Sequence, residues 1–431
     1  MDFLMTLGRA AFGMAVFIGI AYLLSEKRGK VRWSFIGIGL SLQFVMAVLI
    51  LKVPFFYEAM RGVSGFFYAV VSFSNGAAEQ LFGMAATDPK FGFAFSIIPT
   101  IIFFSALSAV LYHLKVLQCV VFVFAWVLSK TLRLSGAECL AASANVFIGQ
   151  TEAPLVVKPY LKGMNGSEIL ALMTGGMATI AGGVLAVYMS VLGGEDPEQV
   201  ITFGQHLLTA SFLNAPAALV MAKIVSPQTE KVDEHVAFPK EKQSESLLDA
   251  ATKGTTDGIA LALNVGGMLI AFIALIALAN WIVSQGIGNW TGLNGWVASV
   301  TGGRFTEFNV SFLVGVVSVP FAFLLGVPNE DLLIVGQLLG ERLVVNEFIA
   351  YLNLGEFKNS GVLEDPKSIL ITTYALCGFA NISSLGIQVG GISVLEKSQR
   401  RNLLKYGPRA LLAGMLACYM TAVIASTVSS F

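Results

Sequence analysis

The sequence predicts an all-α polytopic membrane protein with about eight transmembrane helices, and three observations lead to this fold class. Of the 431 residues, 55% are hydrophobic and 13% are charged, whereas soluble globular proteins carry about 25% charged residues. Phenylalanine, with 32 residues, outnumbers lysine and arginine together, with 27. Long apolar runs recur along the chain, and about 20 apolar residues are enough to cross a bilayer. We therefore expect most of the chain to lie in lipid.

Eight apolar runs are the candidate spans, near 3–24, 33–53, 92–113, 168–193, 203–224, 258–284, 367–392 and 407–429. The first has no basic leader and no cleavage site, so we expect it to be retained as a span. The run 116–129 is short for a span, and it either extends the preceding helix or lies at the interface. The segment 55–85 mixes aromatic and charged residues, which predicts an amphipathic interfacial helix.

Basic residues set the expected orientation. Lys27, Arg28, Lys30 and Arg32 lie in the first loop, and further clusters fall within 223–253 and 397–409. An even number of predicted spans separates these three clusters from one another. Such clusters mark the cytoplasmic side of a membrane. Both termini are then expected outside the cytoplasm, and the polar stretch 226–256 is expected to be a cytoplasmic linker.

The composition also argues against several classes of protein. The 27 basic and 27 acidic residues balance, so no net charge attracts a nucleic acid. The cysteines, at Cys119, Cys139, Cys377 and Cys418, are far apart in apolar runs, which favours packed thiols over disulfides. The sequence contains neither a phosphate-binding GxxxxGK[ST] loop nor HExxH or GxSxG. We therefore expect a protein that is not an enzyme.

Two regions differ from ordinary spans. Residues 136–163 are interrupted by polar residues and a proline at 149–154, and residues 310–354 run apolar to 326–331 before continuing through Asn346 and Glu347. Each region is long enough to enter the membrane, turn and leave on the same side. Irregular backbone at membrane depth is tolerated only inside protein or beside a water-filled cavity. Interrupted segments at corresponding places in two halves point to a transporter site.

The two halves share a pattern of residues around these interruptions. In the first half Thr151-Glu152 precedes the sequence GMATIA at 176–181, and in the second Asn346-Glu347 precedes GFANIS at 378–383. The order of span, broken hairpin, broken span and span repeats as well. This pattern predicts inverted repeats with a site between them.

Glu152 and Glu347 are the sharpest signal in the chain. A charge facing the bilayer centre costs about 2.5–3.5 kcal/mol, so both carboxylates should face an aqueous or protein interior. They could instead form a structural ion pair or lie near the headgroups. In an interior, a carboxylate accepts hydrogen bonds from a polar solute or binds a cation or proton.

Four glycines, at 175, 176, 182 and 183, surround Thr179 within a predicted span. Glycines let helices pack closely, which is one explanation. The other is local unwinding, which frees carbonyl oxygens to bind a small cation such as sodium. Asn381, Ser383 and Ser384 form the matching polar interruption in the second half.

The motifs GQTEAP at 149–154, NEF at 346–348 and GFANISS at 378–384 closely resemble those of the concentrative nucleoside transporters, and most of all the bacterial sodium-coupled members. The resemblance covers nearly the whole chain, including TIAGGV at 179–184 and the apolar run 261–278. It implies a homotrimer of eight-span protomers with two re-entrant hairpins, interfacial helices, inverted repeats and an elevator mechanism.

The resemblance also implies roles for particular residues, by matching motif. The nucleobase-binding residues would be Gln150, Thr151, Glu152 and Val184; the ribose-binding residues Glu347, Phe379, Asn381 and Ser384; and the sodium ligands Asn145, Ile148, Thr179 and Ile180. Thr179 departs from the relatives that this chain most resembles, which carry Ser there. Sodium is the expected coupling ion, and no other cofactor is implied.

The expected organisation alternates scaffold and core segments. These are scaffold spans 1–2 at 1–54, an interfacial segment at 55–91, span 3 and the following helix at 92–135, the first repeat core with hairpin 1 and spans 4–5 at 136–225, the linker at 226–256, span 6 at 257–306, and the second repeat core with hairpin 2 and spans 7–8 at 307–431.

The function expected from residues and resemblance together is sodium-driven import of uridine-like nucleosides by elevator alternating access, in a cell membrane and specifically a bacterial inner membrane. The expected partners are the nucleoside, sodium, the lipid bilayer and two further copies of the chain, with no nucleic acid. Three alternatives stay open: a proton-coupled nucleoside symporter using Glu152 or Glu347, a gated channel for small polar solutes, and an intramembrane enzyme.

Overall fold

The structure is a computed structural model that describes residues 2–83, 97–236, 244–303 and 305–430. Over these residues the regular structure is entirely helical, which confirms the predicted all-α fold class. The first part of the chain forms α1 (Asp2–Leu23), α2 (Trp33–Lys52), α3 (Pro54–Phe82), α4 (Ile98–His113), α5 (Val116–Leu132), α6 (Gly136–Asn145), α7 (Ala153–Val156), α8 (Lys158–Leu161), α9 (Gly166–Ala178), α10 (Gly182–Gly193) and α11 (Pro197–Val225).

The second part of the chain is also helical. It forms α12 (Leu247–Val283), α13 (Asn289–Thr291), α14 (Leu293–Val300), α15 (Val310–Leu325), α16 (Leu332–Val344), α17 (Glu347–Asn359), α18 (Pro366–Leu376), α19 (Ile382–Leu395) and α20 (Arg400–Ser429). Short 3₁₀ turns lie at Arg28–Lys30, Asn329–Asp331 and Lys397–Gln399, and a π-helical turn at Ser284–Gly288 extends α12.

Helix length and hydropathy identify the segments that could cross a membrane. Within the described residues there are six, at Thr6–Leu23, Trp33–Lys52, Gly166–Gly193, Pro197–Val225, Leu247–Thr291 and Lys397–Ser429; α4 and α5 make a seventh if counted as one bent span. The predicted span 367–392 is instead two shorter helices, α18 and α19, because the chain breaks between them. The start of the predicted run 92–113 lies outside the described residues.

The run 116–129 is a separate helix and does not extend α4. The axes of α4 and α5 differ by 74°, and Lys115 between them adopts the left-handed conformation, with φ of 64°. Arg133, which follows α5, is also left-handed, with φ of 50°. Such conformations are uncommon outside glycine, and here they turn the chain at both ends of α5.

The amphipathic segment 55–85 is observed as α3, which Pro54 begins and Gly83 ends. Proline suits the first turn of a helix, and Gly83 has a positive φ of 59°. One face of α3, including Ser64, Val71 and Ala78, is buried, whereas Phe55 and Phe73 are exposed. Its position in the membrane interface stays a prediction.

The last residues of the polar stretch 226–256 are helical, because α12 begins at Leu247. Ser246 caps this helix by accepting a hydrogen bond from the amide of Asp249 at 3.1 Å. Gly254 and Gly258 lie against α4, where an added Cβ would come within 3 Å of α4 atoms. The early residues of α12 are therefore held in a helix by a cap and by close packing.

The region 310–354 contains two interruptions. The first, at 326–331, separates α15 from α16 and includes Gly326, which has a positive φ of 95°. The second, at Val345 and Asn346, separates α16 from α17 and is called here the second tip. The corresponding first tip is residues 146–152, between α6 and α7.

Burial divides the long helices into two groups. The apolar windows of α9–α10, α11 and α20 are 89%, 94% and 94% buried, against 22%, 33% and 12% in α1, α2 and α12. The first group is therefore the centre of the protein, and the second lies around it with much of its surface available to lipid.

Candidate substrate and ion site

The two broken spans meet at their interruptions. The amide of Phe379, between α18 and α19, donates to the carbonyl of Thr179, between α9 and α10, at 3.3 Å. Gly378 makes this approach possible: its φ is 144°, and an added Cβ would lie 2.7 Å from the carbonyl oxygen of Ala178. The site is thus built where two irregular backbone segments touch.

Asn214 on α11 joins both interruptions, and the sequence analysis did not single it out. Its Nδ2 donates to the carbonyls of Ala178 and Cys377 at 2.7 and 2.9 Å. Carbonyls at helix ends lose their partners within the helix, and this buried amide supplies one to each. The available signal was a lone asparagine in the middle of a predicted span.

One cavity brings together all eight residues predicted to bind the nucleobase or the ribose. It has about 700 Å³ of empty space, part of it open to solvent. Its wall includes Gln150, Thr151, Glu152, Val184, Glu347, Phe379, Asn381 and Ser384. Tyr188 and, from α12, Leu261 and Val265 also line it. The two tips, remote in sequence, therefore face one space.

Glu347 is the first residue of α17 and is only 5% exposed. The hydroxyl of Tyr188 donates to its Oε1 at 2.9 Å, and Nδ2 of Asn381 donates to its Oε2 at 2.7 Å. Its place at a helix N-terminus also favours a negative charge. Since a carboxylate has about four acceptor positions, some remain for a ligand.

A buried cation lies in the last turn of α16, five residues before Glu347. The guanidinium of Arg342 donates from Nη1 to the carbonyl of Ala375 at 2.5 Å and from Nη2 to the Sγ of Cys418 at 3.1 Å. Its positive charge acts on the Glu347 carboxylate without a direct ion pair between them in the described structure. Sequence reasoning missed this residue, although an arginine in an apolar hairpin is an available signal.

Asn381 connects Glu347 to the start of α19. Its Oδ1 accepts from the amide of Ser384 and from the hydroxyl of Ser383, both at 2.7 Å. One asparagine therefore caps a helix with its oxygen and fixes a carboxylate with its nitrogen. The polar interruption predicted at 381–384 is observed as this cap.

The first tip presents a different environment. Thr151 and Glu152 are exposed, whereas Gln150 is 8% exposed. The Nε2 of Gln150 donates to the hydroxyl of Ser384 at 3.2 Å, and its Oε1 accepts from Nε2 of Gln388 at 3.0 Å. Residues assigned by resemblance to the base and to the ribose are thus directly connected.

Tyr188 is a contributor that no motif indicated. Its ring stacks on that of Tyr351, with 4.3 Å between centroids, while the Tyr351 hydroxyl donates to the carbonyl of Thr373 at 2.8 Å. An aromatic residue in an apolar span usually serves packing, so no sequence signal distinguishes Tyr188 from its neighbours.

Of the four predicted cation ligands, Asn145 ends α6, Ile148 lies in the first tip, and Thr179 and Ile180 lie at the interruption of α9–α10. Asn145 is 1% exposed; its Nδ2 donates to the carbonyl of Ala141 at 3.0 Å, and its buried Oδ1 has no partner. The hydroxyl of Thr179 donates to the carbonyl of Gly175 at 2.9 Å, which leaves its lone pairs available. A buried oxygen without a donor fits a hard cation that binds oxygen ligands. Ile148 and Ile180 would contribute carbonyl oxygens.

Other metal chemistry finds no support within the described residues. They contain no group of three or more histidine, cysteine, aspartate or glutamate side chains that could hold a metal ion. All four cysteines are free: Cys139, Cys377 and Cys418 are buried, as packed thiols should be, whereas Cys119 is exposed.

A second cavity, with about 720 Å³ of empty space, lies on the other side of the first tip. It shares Gly149, Glu152, Ala181 and Leu261 with the first cavity and reaches Asp257 on α12. It extends toward the start of α12 and the end of α4, where His113 and Ser244 are joined by a 2.7 Å hydrogen bond. The second cavity therefore adjoins the site on the side of the polar linker.

The base of the first hairpin is fixed by a buried ion pair between Lys223 on α11 and Glu138 on α6. Lys223 also donates to the hydroxyl of Ser167, next to the start of α9, at 2.9 Å. Removing one partner of such a pair leaves an uncompensated buried charge. The first hairpin is thereby attached to the central helices.

Family models match the chain over most of its length. Residues 12–85 match the Na⁺ dependent nucleoside transporter N-terminus, residues 94–195 a nucleoside recognition (Gate) domain, and residues 206–426 the Na⁺ dependent nucleoside transporter C-terminus. The last match alone includes Glu347, Asn381 and Ser384.

Individual proteins are similar over nearly their whole length. An uncharacterized transporter of Haemophilus influenzae is 39% identical, over 96% of this chain and 95% of that protein. The nucleoside permease NupC of Helicobacter pylori is 35% identical, over 96% of both chains. The solved structure of CNTnw in an inward-facing substrate-bound state superposes with a TM-score of 0.88 at 34% identity, covering 99% of this chain and 98% of that one.

Proposed function

The chain belongs to the Na⁺-dependent nucleoside transporter family, as its motifs predict, and from this premise we propose that it imports uridine-like nucleosides by sodium symport. Membership in this family makes it a multi-pass membrane transporter coupled to Na⁺. The observation that carries the finer proposal is the Glu347 carboxylate, buried, held by two donors and facing the cavity.

The second tip would bind the ribose. Vicinal hydroxyls of a ribose donate to Glu347, whose free acceptor positions face the cavity. Asn381 and Ser384 add polar groups beside it, and Phe379 offers an apolar surface to the sugar. A site built to accept from hydroxyls leaves buried groups unpaired when the hydroxyls are missing, so it selects ribonucleosides.

The first tip would bind the base. Gln150, Thr151 and Glu152 supply donors and acceptors for its polar edge, and Val184 supplies apolar contact. The exposed side chains of Thr151 and Glu152 can change conformation more easily than the buried side chains at the ribose end. This freedom suits bases of different shape.

Sodium would bind to Asn145, Ile148, Thr179 and Ile180, next to the first tip. One inward sodium ion gains about 2.3 kcal/mol per 100 mV and about 1.4 kcal/mol for a tenfold concentration ratio. The sum, about 3.7 kcal/mol, supports a nucleoside gradient of several hundred-fold. One coupled ion is therefore enough for concentrative uptake.

Movement by an elevator mechanism is part of the proposal. The buried helices α9–α11 and α20 would move with both tips, against α1, α2 and α12, which expose more surface. We further propose a homotrimer in a bacterial inner membrane with both termini outside the cytoplasm, because this orientation places the basic loops inside. In this proposal the scaffold comprises residues 1–54, 92–135 and 257–306, and the repeat cores comprise residues 136–225 and 307–431.

The test is uptake of labelled uridine into proteoliposomes. We expect accumulation above the external concentration only when sodium is higher outside. Uptake that persists without sodium and follows pH would indicate proton coupling. Uptake that never exceeds equilibrium would indicate a channel, and a chemically altered internal pool on chromatography would indicate an enzyme.

A further inference from the structure

Gln388 lies one helical turn after Ser384 on α19, so the two side chains share a face of that helix. It is 1% exposed and does not line the first cavity. Its Nε2 donates to Oε1 of Gln150 at 3.0 Å and to the carbonyl of Met173 at 3.2 Å. This inference concerns the base-binding end and rests on the proposed function.

The Met173 carbonyl determines the direction of every bond in this chain of contacts. A backbone carbonyl only accepts, so the Gln388 atom beside it must be Nε2. The same NH₂ group donates to Gln150, whose facing atom must then be Oε1. The Nε2 of Gln150 is therefore directed to Ser384, whose hydroxyl oxygen accepts it at 3.2 Å.

Gly176 leaves the space for this arrangement. A Cβ at residue 176 would collide with Nε2 of Gln388 and lie 3.1 Å from Cβ of Gln150. The same addition at Gly183 would meet Phe104 atoms at 3.6 Å, an ordinary contact. Of these two glycines, only Gly176 leaves space that the side chains of Gln150 and Gln388 need for their contact.

We propose that Gln388 is a positioning residue that sets the polarity of the base-binding end. Gln388 fills one acceptor position of the Gln150 oxygen, and one of the two N–H groups of Gln150 is left for a ligand. The Ser384 oxygen accepts from Gln150, which leaves its O–H to donate. The Gln150 N–H at the first tip, with the Ser384 O–H beside it on α19, therefore faces the nucleoside as a donor. The base-binding end thus selects bases that carry an acceptor at the facing edge.

The backbone at Gln150 explains why a second residue is needed to orient its amide. Gln150 is in the turn of the first tip, outside any helix, so no regular backbone restricts its side chain. Without a partner its amide could present either oxygen or nitrogen to the base. Gln388, on a helix and fixed by Met173, removes that choice.

The experiment uses Gln388→Leu in the full-length protein, with uptake measured for three nucleosides. Uridine and cytidine differ only at the base edge, whereas uridine and 2′-deoxyuridine differ only in the sugar. We expect the uridine-to-cytidine ratio of affinities to change about fivefold, the effect of one hydrogen bond, and the ratio for the sugar pair to stay constant. Both ratios moving together would overturn the inference, since that pattern indicates a general distortion.

A double-mutant cycle tests the route of action. If Gln388 acts through Gln150, Gln388→Leu has no further effect on base selectivity in a Gln150→Ala background. Additive effects would overturn the inference. Gly176→Ala should reproduce the selectivity change, with Gly183→Ala as the matched control that leaves selectivity unaltered.

A structural measurement keeps the inference separate from the proposed function. In a cryo-EM map of Gln388→Leu in nanodiscs, we expect the Gln150 side chain to occupy more than one rotamer. A single position identical to that of the unaltered protein would overturn the inference whether or not any nucleoside is transported. Absence of nucleoside uptake by the unaltered protein would instead overturn the proposed function.

Discussion

The two carboxylates that the sequence singled out occupy opposite environments. Glu347 at the second tip is buried and accepts from Tyr188 and Asn381, whereas Glu152 at the first tip is exposed between two cavities. Both glutamates follow a polar residue in an interrupted segment, so the sequence pattern alone does not distinguish their environments. The structure makes one of them a fixed acceptor and the other an accessible one.

This difference suggests a division of labour within the proposed function. The constant part of every ribonucleoside, its sugar, would meet the preorganised tip, and the variable part, the base, would meet the open one. A fixed group loses little entropy on binding and discriminates strongly. An accessible group remains hydrated and contributes less.

The largest effect is expected from Glu347→Gln. The amide replaces a charged acceptor, and hydrogen bonds to charged groups contribute about 1.5–3 kcal/mol. We expect uridine uptake at low concentration to fall about 10- to 100-fold, measured in proteoliposomes. Glu356→Gln, an exposed position on the same helix, is the control, and uptake like that of the unaltered protein would remove Glu347 from the ribose site.

The next effect concerns the ion rather than the nucleoside. Thr179→Ala removes a hydroxyl oxygen from the proposed cation site, and we expect the sodium concentration for half-maximal uptake to rise about tenfold, with base selectivity unchanged. Thr179→Ser retains the oxygen and should behave like the unaltered protein. Altered base selectivity with unaltered sodium dependence would exclude Thr179 from the ion site.

Tyr188→Phe tests how much the fixed position of the Glu347 carboxylate contributes to binding. It removes one donor to Glu347 while the ring remains stacked on Tyr351. The loss of one hydrogen bond, about 1 kcal/mol, should weaken uridine binding about fivefold in an equilibrium binding measurement. Tyr351→Phe is the matched control, because that hydroxyl contacts the Thr373 carbonyl and not the site. Equal effects of the two substitutions would contradict the assigned role of Tyr188.

Glu152→Gln should have a smaller effect than either change at the second tip. The Glu152 side chain borders both cavities, where an amide of the same shape can be accommodated, and we expect uridine affinity to change about threefold or less. Sodium-driven accumulation should persist. A loss as large as that of Glu347→Gln would break the comparison between the tips.

The smallest effect lies outside both tips, at Glu26 in the first loop. Burial alone would raise the pKa of this carboxyl, but the hydrogen bonds and charges of Lys405 and Arg409 outweigh it and lower the pKa. Because the folded-state pKa is lowered, this contact stabilises the fold at neutral pH, and the contribution is lost as pH falls through that pKa. Glu26→Gln should lower the free energy of unfolding by up to about 1 kcal/mol at pH 7.

The measurement is thermal stability in detergent at several pH values. The difference in stability between Glu26→Gln and the unaltered protein should shrink in acid. There the Glu26 carboxyl of the unaltered protein is protonated in both the folded and the unfolded state. A difference that grows toward low pH would contradict the assigned ion pairs. Uptake kinetics should be unaffected at every pH.

The sequence alone determined the membrane environment, the all-helical class, the two interrupted regions and the family. Each of these rests on local properties: hydropathy over about 20 residues, breaks in that hydropathy, and short motifs. The same locality explains why helix boundaries stayed open, since the cap at Ser246 and the left-handed turn at Lys115 are not visible in hydropathy. The grouping of eight predicted residues around one cavity followed from the motifs as well.

Tertiary structure alone decided how those residues are held. Tyr188, Asn214, Arg342 and Gln388 carry no motif, and each contributes through a partner far away in sequence: a carboxylate, two helix ends, or another amide. A hydrogen bond depends on distance and angle in space, which spacing along the chain does not encode. For the same reason, only the fold could show that one of two similar glutamates is fixed and the other is open.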